Sequence, residues 1–470
     1  MRSNVVRRSE LLDGAGSRLD AEAFDPTYLE PEQRLIDRGG CRLSDLAYQL
    51  PSSRSLLTDE SGSWDYIDIS SVDNRDGFLL PSEYLTADLP SRAYYQVSDG
   101  DLLVSNVRPQ RGAISLVSDD LDGSFASSGF TCVRPTSGAI SSSVLFAWLR
   151  SDHVQRQLVR RSRNSMYPAV SPSDVLDVWV PTIPKALAER VESRVKLALE
   201  ARREFLEAAA KASEVLTEFL QPYGAPPSPL DAGREGVEQT IVQRSDCFGA
   251  GNSSRIDVEF HRSEFVDFSA RLRSLGPWTS LGELYALRSG AGRSSGSSEA
   301  SVIKQAVLTN LGVNWSAAEV EEGRSGARAE LKGGELLIAS AAHEVYYVGR
   351  KVDYVREVPT SHSMNEVVAE LIVGRQRSAS SDHRVGAFVA AFLRSEAGLH
   401  QVQRCIRGLR GGHIYGSDLE LFVDVPVPSE EWLDAFGEFS LAAELSRNSA
   451  LDCVRDAVRL LEDEFWRDAE

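Results

Sequence analysis

The side chains of this protein whose types and spacing could do chemistry are clustered arginines. Arg156, Arg160, Arg161 and Arg163 crowd together and run on to Asn164 and Tyr167, and Asn106, Arg108 and Arg111 form an upstream set. A third set comprises Arg404, Arg407 and Arg410, followed by His413 and Tyr415. A guanidinium is a planar fork that pairs with phosphate and with guanine. Gly408, Gly411 and Gly412 beside the third set would let backbone approach a phosphate closely. The chemistry these residues suit is therefore non-covalent recognition of an anion. Two blander readings stand beside it. An arginine run also makes the solvated face of a helix, and a GC-rich genome would favour Arg over Lys, which occurs at only six positions.

Constellations that make or break bonds are missing from the sequence. There is no Gly-x-x-x-x-Gly-Lys phosphate loop and no His-Glu-x-x-His, and the seven histidines lack metal-ligand spacing. The Asp/Asn-Pro-Pro-aromatic signature expected of an exocyclic-amine methyltransferase is absent too. The expectation is a protein with no catalytic residue, no metal and no cofactor. The carboxylates of Asp20, Glu22, Asp257 and Glu259 are read as anchors to Arg18 and Arg255 rather than as acid–base pairs.

Composition sets the frame for these clusters. With 470 residues, 42% hydrophobic and 26% charged, the chain is long enough for two or three domains. Its net charge of -18 is opposite to that of a simple nucleic-acid binder, so any phosphate contact must come from local patches. No apolar run reaches the ~18 residues of a membrane span, and no apolar stretch follows Met1–Arg8 to make a signal peptide. A cytoplasmic protein without a membrane partner is expected. Cys41, Cys132, Cys247, Cys405 and Cys453 are too scattered for a disulfide framework or zinc site and are expected to be reduced and inert.

The elements that must position the arginines alternate short apolar runs with turns. Leu102–Ser105, Gly112–Val117 and Gly129–Val133 read as strands, Ser143–Arg161 as one helix, and Asp174–Pro181 as a half-buried strand stopped by proline. From Lys185 to Leu220 Gly and Pro vanish, and Val191, Ala198, Phe205, Ala212 and Phe219 recur every seventh residue. That pattern predicts a helix of roughly 50 Å with a coiled-coil seam. A second such helix is expected over residues 429–466, with Phe436, Ala443, Ala450 and Ala457 on one seam position and Phe439, Cys453 and Leu460 on another. Each long stripe needs a partner, and the other helix is the most economical one.

Landmarks recur in order through the chain. Arg18-Leu19-Asp20-Ala21-Glu22 returns as Arg255-Ile256-Asp257-Val258-Glu259, and Leu43–Leu46 as Leu281–Leu284. Gly100–Leu103 returns as Gly334–Leu337, Trp148–Asp152 as Phe392–Glu396, and Ser173-Asp174 as Ser417-Asp418. Offsets of 234 to 244 residues describe a duplication of whole domains. The predicted fold class is α+β: two repeated mixed α/β domains, each followed by a long helix, the two helices pairing as an antiparallel coiled coil. The expected boundaries are an N-terminal extension over 1–17, domain 1 over 18–184, helix 1 over 185–220, a Pro/Gly-rich linker over 221–254, domain 2 over 255–428 and helix 2 over 429–466.

The opening at Arg18, the segment Gly100-Asp101-Leu102-Leu103-Val104-Ser105-Asn106-Val107-Arg108-Pro109, the Leu149–Asp152 motif and the stretch Met166–Asp174 ending in Val180-Pro181 together resemble the specificity subunit of type I restriction-modification systems. The resemblance implies two target recognition domains, each reading half of a bipartite DNA sequence, with helices that space them and dock partners. It implies a non-catalytic DNA-specificity subunit of a restriction-modification or related phage-defence methylation complex. The implied partners are double-stranded DNA, two adenine-N6 DNA methyltransferase subunits and a translocase/nuclease subunit. A second reading is an interaction scaffold of a phage-defence assembly that has lost sequence reading. Where the first copy has Ser105–Pro109 the second has Ala339–Glu344, whose carboxylate would repel phosphate, so this domain either binds through other loops or has drifted and reads DNA weakly.

Overall fold

The computed structural model describes residues 24–53, 62–163, 166–224, 226, 255, 257–290, 299–310, 312–315, 319–322, 331–342, 344–358, 365–367, 371–378, 381–408 and 412–466. Arg18, Asp20, Glu22, Asn164, Cys247 and Arg410, the extension over 1–17 and most of the linker over 221–254 lie outside them. Two units emerge: Met1–Glu204 with Ser446–Glu470, and Phe205–Leu445.

In the first unit, α1 (Pro26–Asp37) starts on Asp25, whose carboxylate accepts from Thr27 N at 2.8 Å, with Pro26 at the first helical position. The strands are β1 (Ala47–Gln49), β2 (Ser63–Ile67), β3 (Ser82–Leu85), β4 (Ala93–Gln96), β5 (Leu102–Ser105), β6 (Ile114–Leu116), β7 (Phe125–Ser127) and β8 (Phe130–Pro135). They form two four-stranded sheets, ordered β1-β8-β5-β6 and β3-β2-β7-β4. The first is antiparallel throughout, and the second pairs β2 and β7 in parallel. Alternation along β5 sends Leu102 and Val104 to one core and Leu103 to the other.

Helices α2 (Ser142–Leu149) and α3 (Asp152–Arg161) follow, where the sequence predicted one continuous helix. The break has a local cause: the Ser151 hydroxyl accepts from Val154 N and starts a new helix. Asp174 likewise belongs to a short helix, α4 (Pro172–Leu176), rather than to a strand. Ser171 and Asp174 form a reciprocal capping box with Pro172 at the first position, so only Trp179–Val180 remain extended, paired with Cys41–Arg42. The long α5 (Lys185–Leu220) ends just before Pro222.

The second unit repeats the plan. After α6 (Ser263–Ser274) come β9 (Tyr285–Ser289), β10 (Glu299–Ile303), β11 (Glu319–Glu322), β12 (Glu335–Ala339), β13 (Val352–Val355), β14 (Asn365–Val367) and β15 (Leu371–Gln376). The sheets are ordered β9-β15-β12-β13 and β11-β10-β14, and β10 pairs β14 in parallel as β2 pairs β7. Leu336 and Ile338 again face one core and Leu337 the other. Helices α7 (His383–Arg394), α8 (Glu396–Arg404), α9 (Gly416–Phe422) and the long α10 (Glu430–Trp466) complete the order. Gly100 and Gly334 introduce β5 and β12 at φ +84° and +91°, and a Cβ would meet Ser142 Oγ at 3.0 Å or Ser381 Oγ at 2.6 Å. The repeated glycine is thus demanded by the turn itself.

The long helices run antiparallel within each unit. In the first, Arg194 pairs with Asp456 at 4.0 Å and Ser446 donates to Glu204 at 3.2 Å, around a seam of Val191, Val195, Ala198, Ala450, Val454 and Ala457. In the second, Phe219 packs on Trp432 at 4.6 Å between ring centroids, and Lys211 lies 5.8 Å from the Phe439 ring. Cys453 and Leu460, expected on the seam, are only half-buried, because the fully buried positions fall one residue later at Val454 and Leu461. No helix among the described residues is long and apolar enough to cross a membrane.

Candidate nucleic-acid interface

Strand β5 delivers Asn106 to the surface of the first unit and fixes it from three sides. Its N–H donates to Gly129 O at 2.9 Å, its carbonyl accepts from Val170 N at 2.9 Å, and its Oδ1 accepts from Thr131 Oγ1 at 2.5 Å. With its side-chain oxygen engaged, Asn106 positions the segment that follows. Val107 then bridges to Ala169, which also exchanges two backbone hydrogen bonds with Arg163 at 2.8 and 3.0 Å. Residues 106–108 are thereby laid beside residues 168–170, more than fifty residues away in sequence, with Arg163 paired on their far side.

Arg108 sits at the centre of this junction. It is half-buried and left-handed, at φ 51° and ψ 58°, a conformation that costs a non-glycine residue about 1 kcal/mol or more. The Arg108 N–H donates to Pro168 O at 2.7 Å, and the guanidinium lies 5.2 Å from the Tyr167 ring. Arg111 and Arg163 are exposed, Tyr167 is 61% exposed and Met166 is 79% exposed. Among the described residues no carboxylate pairs with Arg108, Arg111 or Arg163. These guanidiniums are therefore not tied to a carboxylate among the described residues, and the backbone pairing places Arg108 and Arg163 on neighbouring stretches, with the Tyr167 ring beside Arg108.

The remaining arginines of the first set are placed differently. Arg156 is exposed, and its Nε donates to Asp152 at 2.6 Å one turn earlier, the bland helix-face arrangement. Arg161 is only 8% exposed, and donates to Glu32 at 2.6 Å, Gln157 O at 3.0 Å and Asp177 O at 3.2 Å. Arg160 pairs with the other oxygen of the same carboxylate. Glu32 is itself buried, so α1 is riveted to α3 by one carboxylate shared between two guanidiniums. The expectation that Arg160 and Arg161 face a ligand gives way to this interior role. Sequence reading missed Glu32, which stands alone in a helix with no motif around it.

In the second unit three backbone contacts of the junction recur among the described residues. Arg407 and His413 exchange hydrogen bonds at 2.8 and 2.9 Å, Ala341 pairs with His413, and Ile414 N donates to Ser340 O at 2.8 Å. These match Arg163–Ala169, Val107–Ala169 and Val170–Asn106 in the first unit. The side chains do not match. Arg404 turns inward, stacking 4.1 Å from the Phe260 ring and donating to Phe260 O at 2.9 Å, and burial lowers its pKa. Arg407 grips Asp418 with two bonds of 2.7 Å while lying 5.6 Å from the Tyr415 ring. Asp418 is fully buried and also accepts from Arg255 at 3.0 Å. Arg255 in turn holds Asp257 at 2.6 and 2.8 Å, as the anchoring reading expected for that pair. His413 and Tyr415 remain exposed.

Two buried glutamines hold both sites in place and were not read from the sequence. Gln157 donates to Trp179 O at 3.3 Å and accepts from Trp179 N at 2.8 Å. Gln401 does the same with Asp424, at 3.0 and 2.8 Å. Each glutamine stands five residues after the acidic residue that opens its helix, Asp152 or Glu396, so the repeat alignment could have singled it out. Each clamp fixes the helix against the short strand that closes its domain.

No family model matches the chain. Over 86 residues it is 29% identical to the type I restriction enzyme HindI specificity subunit of Haemophilus influenzae, a match covering 18% of this chain and about a fifth (19%) of that relative's length. Among solved structures, the HsdS subunit from Thermoanaerobacter tengcongensis aligns over 91% of this chain and 96% of its own, at 20% identity and a TM-score of 0.34. The type I restriction-modification S subunit from M. genitalium aligns over 91% of this chain and 94% of its own, at 10% identity and a TM-score of 0.40.

Proposed function

We propose that this chain is the non-catalytic DNA-specificity subunit of a type I restriction-modification-like methylation complex. In this reading each unit reads one half of a bipartite duplex target, and adenine-N6 methyltransferase subunits dock on the chain and supply the chemistry. The observation that carries it is that Arg108, Arg111 and Arg163, on two stretches of the first unit joined by backbone hydrogen bonds, have no carboxylate partner among the described residues, with Tyr167 beside Arg108. In a chain of net charge -18, such a concentration of available guanidiniums suits phosphate and base edges. The duplicated framework supports the bipartite part of the reading, since two like domains suit two half-sites. Partner subunits would supply further positive charge around the DNA.

The test is the double variant Arg108→Ala/Arg163→Ala in the full chain assembled with its methyltransferase. Duplex affinity is expected to fall about tenfold or more, and the salt dependence of log K to flatten by about two contacts. Unchanged affinity and slope would remove this surface from the account. The scaffold reading draws on the second unit, where Arg404 and Arg407 are committed to internal partners. It requires DNA binding by the complex to be indifferent to sequence.

A further inference from the structure

The second unit has no arginine at the position of Arg108, but the loop there is longer and differently equipped. The backbone match places Ala341 and Ala342 on Val107 and Arg108, and Lys351-Val352 on Ala113-Ile114, since Ala339 N donates to Lys351 O as Ser105 N donates to Ala113 O. Four residues separate Arg108 from Ala113, whereas eight separate Ala342 from Lys351. The extra length brings two neighbouring tyrosines, Tyr346 at 47% and Tyr347 at 54% exposure, with rings 5.2 Å apart and nearly perpendicular.

This loop is held rather than loose. Arg350 Nε donates to Tyr346 O at 2.7 Å, and its guanidinium lies 3.6 Å from the Tyr346 ring centroid. Gln403 of α8 donates to the same carbonyl at 3.3 Å. Gly349, at φ +75°, presses against Val402 and Ile414 so closely that a Cβ would come within 2.4 Å of Val402. The loop thus sits on the second helix of its domain, as Gly112 sits on Gln155 of α3, where a Cβ would meet Nε2 at 2.8 Å. Exposed His413 lies on the adjoining strand, and exposed Tyr415 caps the helix that follows it. Half-exposed tyrosines immobilised by backbone contacts present apolar area at little entropic cost, and a guanidinium stacked on one ring adds a cation.

We infer that Tyr346, Tyr347 and Arg350 are the DNA-contacting element of the second unit, replacing the Arg side chains of the first with aromatic contact to base edges and one phosphate-directed cation. The inference rests on the proposed DNA-reading function and adds which residues of the second unit perform it. Aromatic rings favour the thymine methyl and the faces of partly unstacked bases, so the half-site read here is expected to depend on A·T pairs.

The experiment uses the full chain assembled with its methyltransferase, and duplexes carrying the methylated motif of the host genome with either half altered. Wild type is expected to discriminate against changes in both halves. Y346A/Y347A is expected to lose about tenfold in affinity and to stop discriminating at one half, with the other half and the salt slope unchanged, while Y346F/Y347F retains both. R350A is expected to flatten the salt slope by about one contact, a readout that needs no tyrosine variant to fold. Wild-type discrimination at both halves, with Y346A/Y347A and R350A indistinguishable from it, would overturn this inference and leave the function standing. A wild type indifferent to sequence would overturn the function and the inference together. Loss of methyltransferase assembly by Y346A/Y347A, with discrimination by the assembled fraction unchanged, would assign the tyrosines to a protein partner and overturn the inference.

Discussion

The junction at Arg163–Ala169 in the first unit and the one at Arg407–His413 in the second share their backbone bonds and their glutamine clamp, yet their charges are paired by different logic. In the first, the carboxylate that pairs with the arginines is Glu32 on α1, and the equally buried Asp174 is occupied as a helix cap, accepting from Ser171 N at 2.8 Å. In the second, Asp418, the counterpart of Asp174, has become the hub that holds Arg255 and Arg407. Duplication has kept the hydrogen-bonded frame while the ion pairs moved from one frame position to another. The consequence reaches the surface: Arg163 in the first unit is exposed without a carboxylate partner among the described residues, whereas its counterpart Arg407 is bound to Asp418.

The sharpest way to break this comparison is to truncate the two equivalent aspartates. Asp418→Ala strands the buried Arg255 beside one remaining carboxylate and is expected to cost about 3–5 kcal/mol. Asp174→Ala removes a cap and is expected to cost about 1–2 kcal/mol. Urea unfolding of the two variants measures the gap, and equal losses would show that the hub and the cap are energetically alike. The glutamine clamps should behave as a matched pair. Gln157→Leu and Gln401→Leu each leave a buried N–H and a buried C=O without their partner, for about 1–3 kcal/mol apiece.

Acid should weaken both units through one histidine each. Burial lowers the pKa of His153 and of His400 to about 4, from an ordinary value near 6.5. His153 lies between the Trp148 and Phe465 rings, and His400 against Phe265 and Phe268. Each is neutral when folded and takes up a proton more readily when unfolded, so its contribution is full above pH 6.5 and declines as pH falls towards 4. A loss of about 1–2 kcal/mol per histidine by pH 5 is expected, visible as a falling Tm. His153→Phe should reduce that slope in the first unit alone. The smallest expected effect is on stability at Arg108. Arg108→Gly relieves the left-handed strain and should change stability by no more than about 1 kcal/mol, while DNA affinity falls in the same direction as for Arg108→Ala/Arg163→Ala.

The sequence made the duplication legible because glycine at a positive φ, a serine cap and an apolar alternation each have one structural meaning, and they recur in order. Gly100 and Gly334, Ser151 and Ser395, and the seam residues of the long helices fall in this class. The strand expected over Asp174–Pro181 shrinks to Trp179–Val180 because the Ser171–Asp174 capping box outweighs an alternating apolar pattern. The arginine sets were only partly legible. Charge and crowding cannot say which guanidinium meets a carboxylate from a distant helix, and Glu32 lies more than 120 residues from Arg160 and Arg161. Tyr346 and Tyr347 went unnoticed because an insertion has no counterpart against which to be read.

The most direct test of the central claim is competition binding by the full chain assembled with its methyltransferase. Duplexes bearing the genome's methylated motif would compete against duplexes with that motif scrambled, at low and at physiological salt. The account predicts preference for the motif by a factor of about a thousand or more, with affinity for both duplexes falling steeply as salt rises. Equal affinity for motif and scrambled duplexes at both salt concentrations would contradict it.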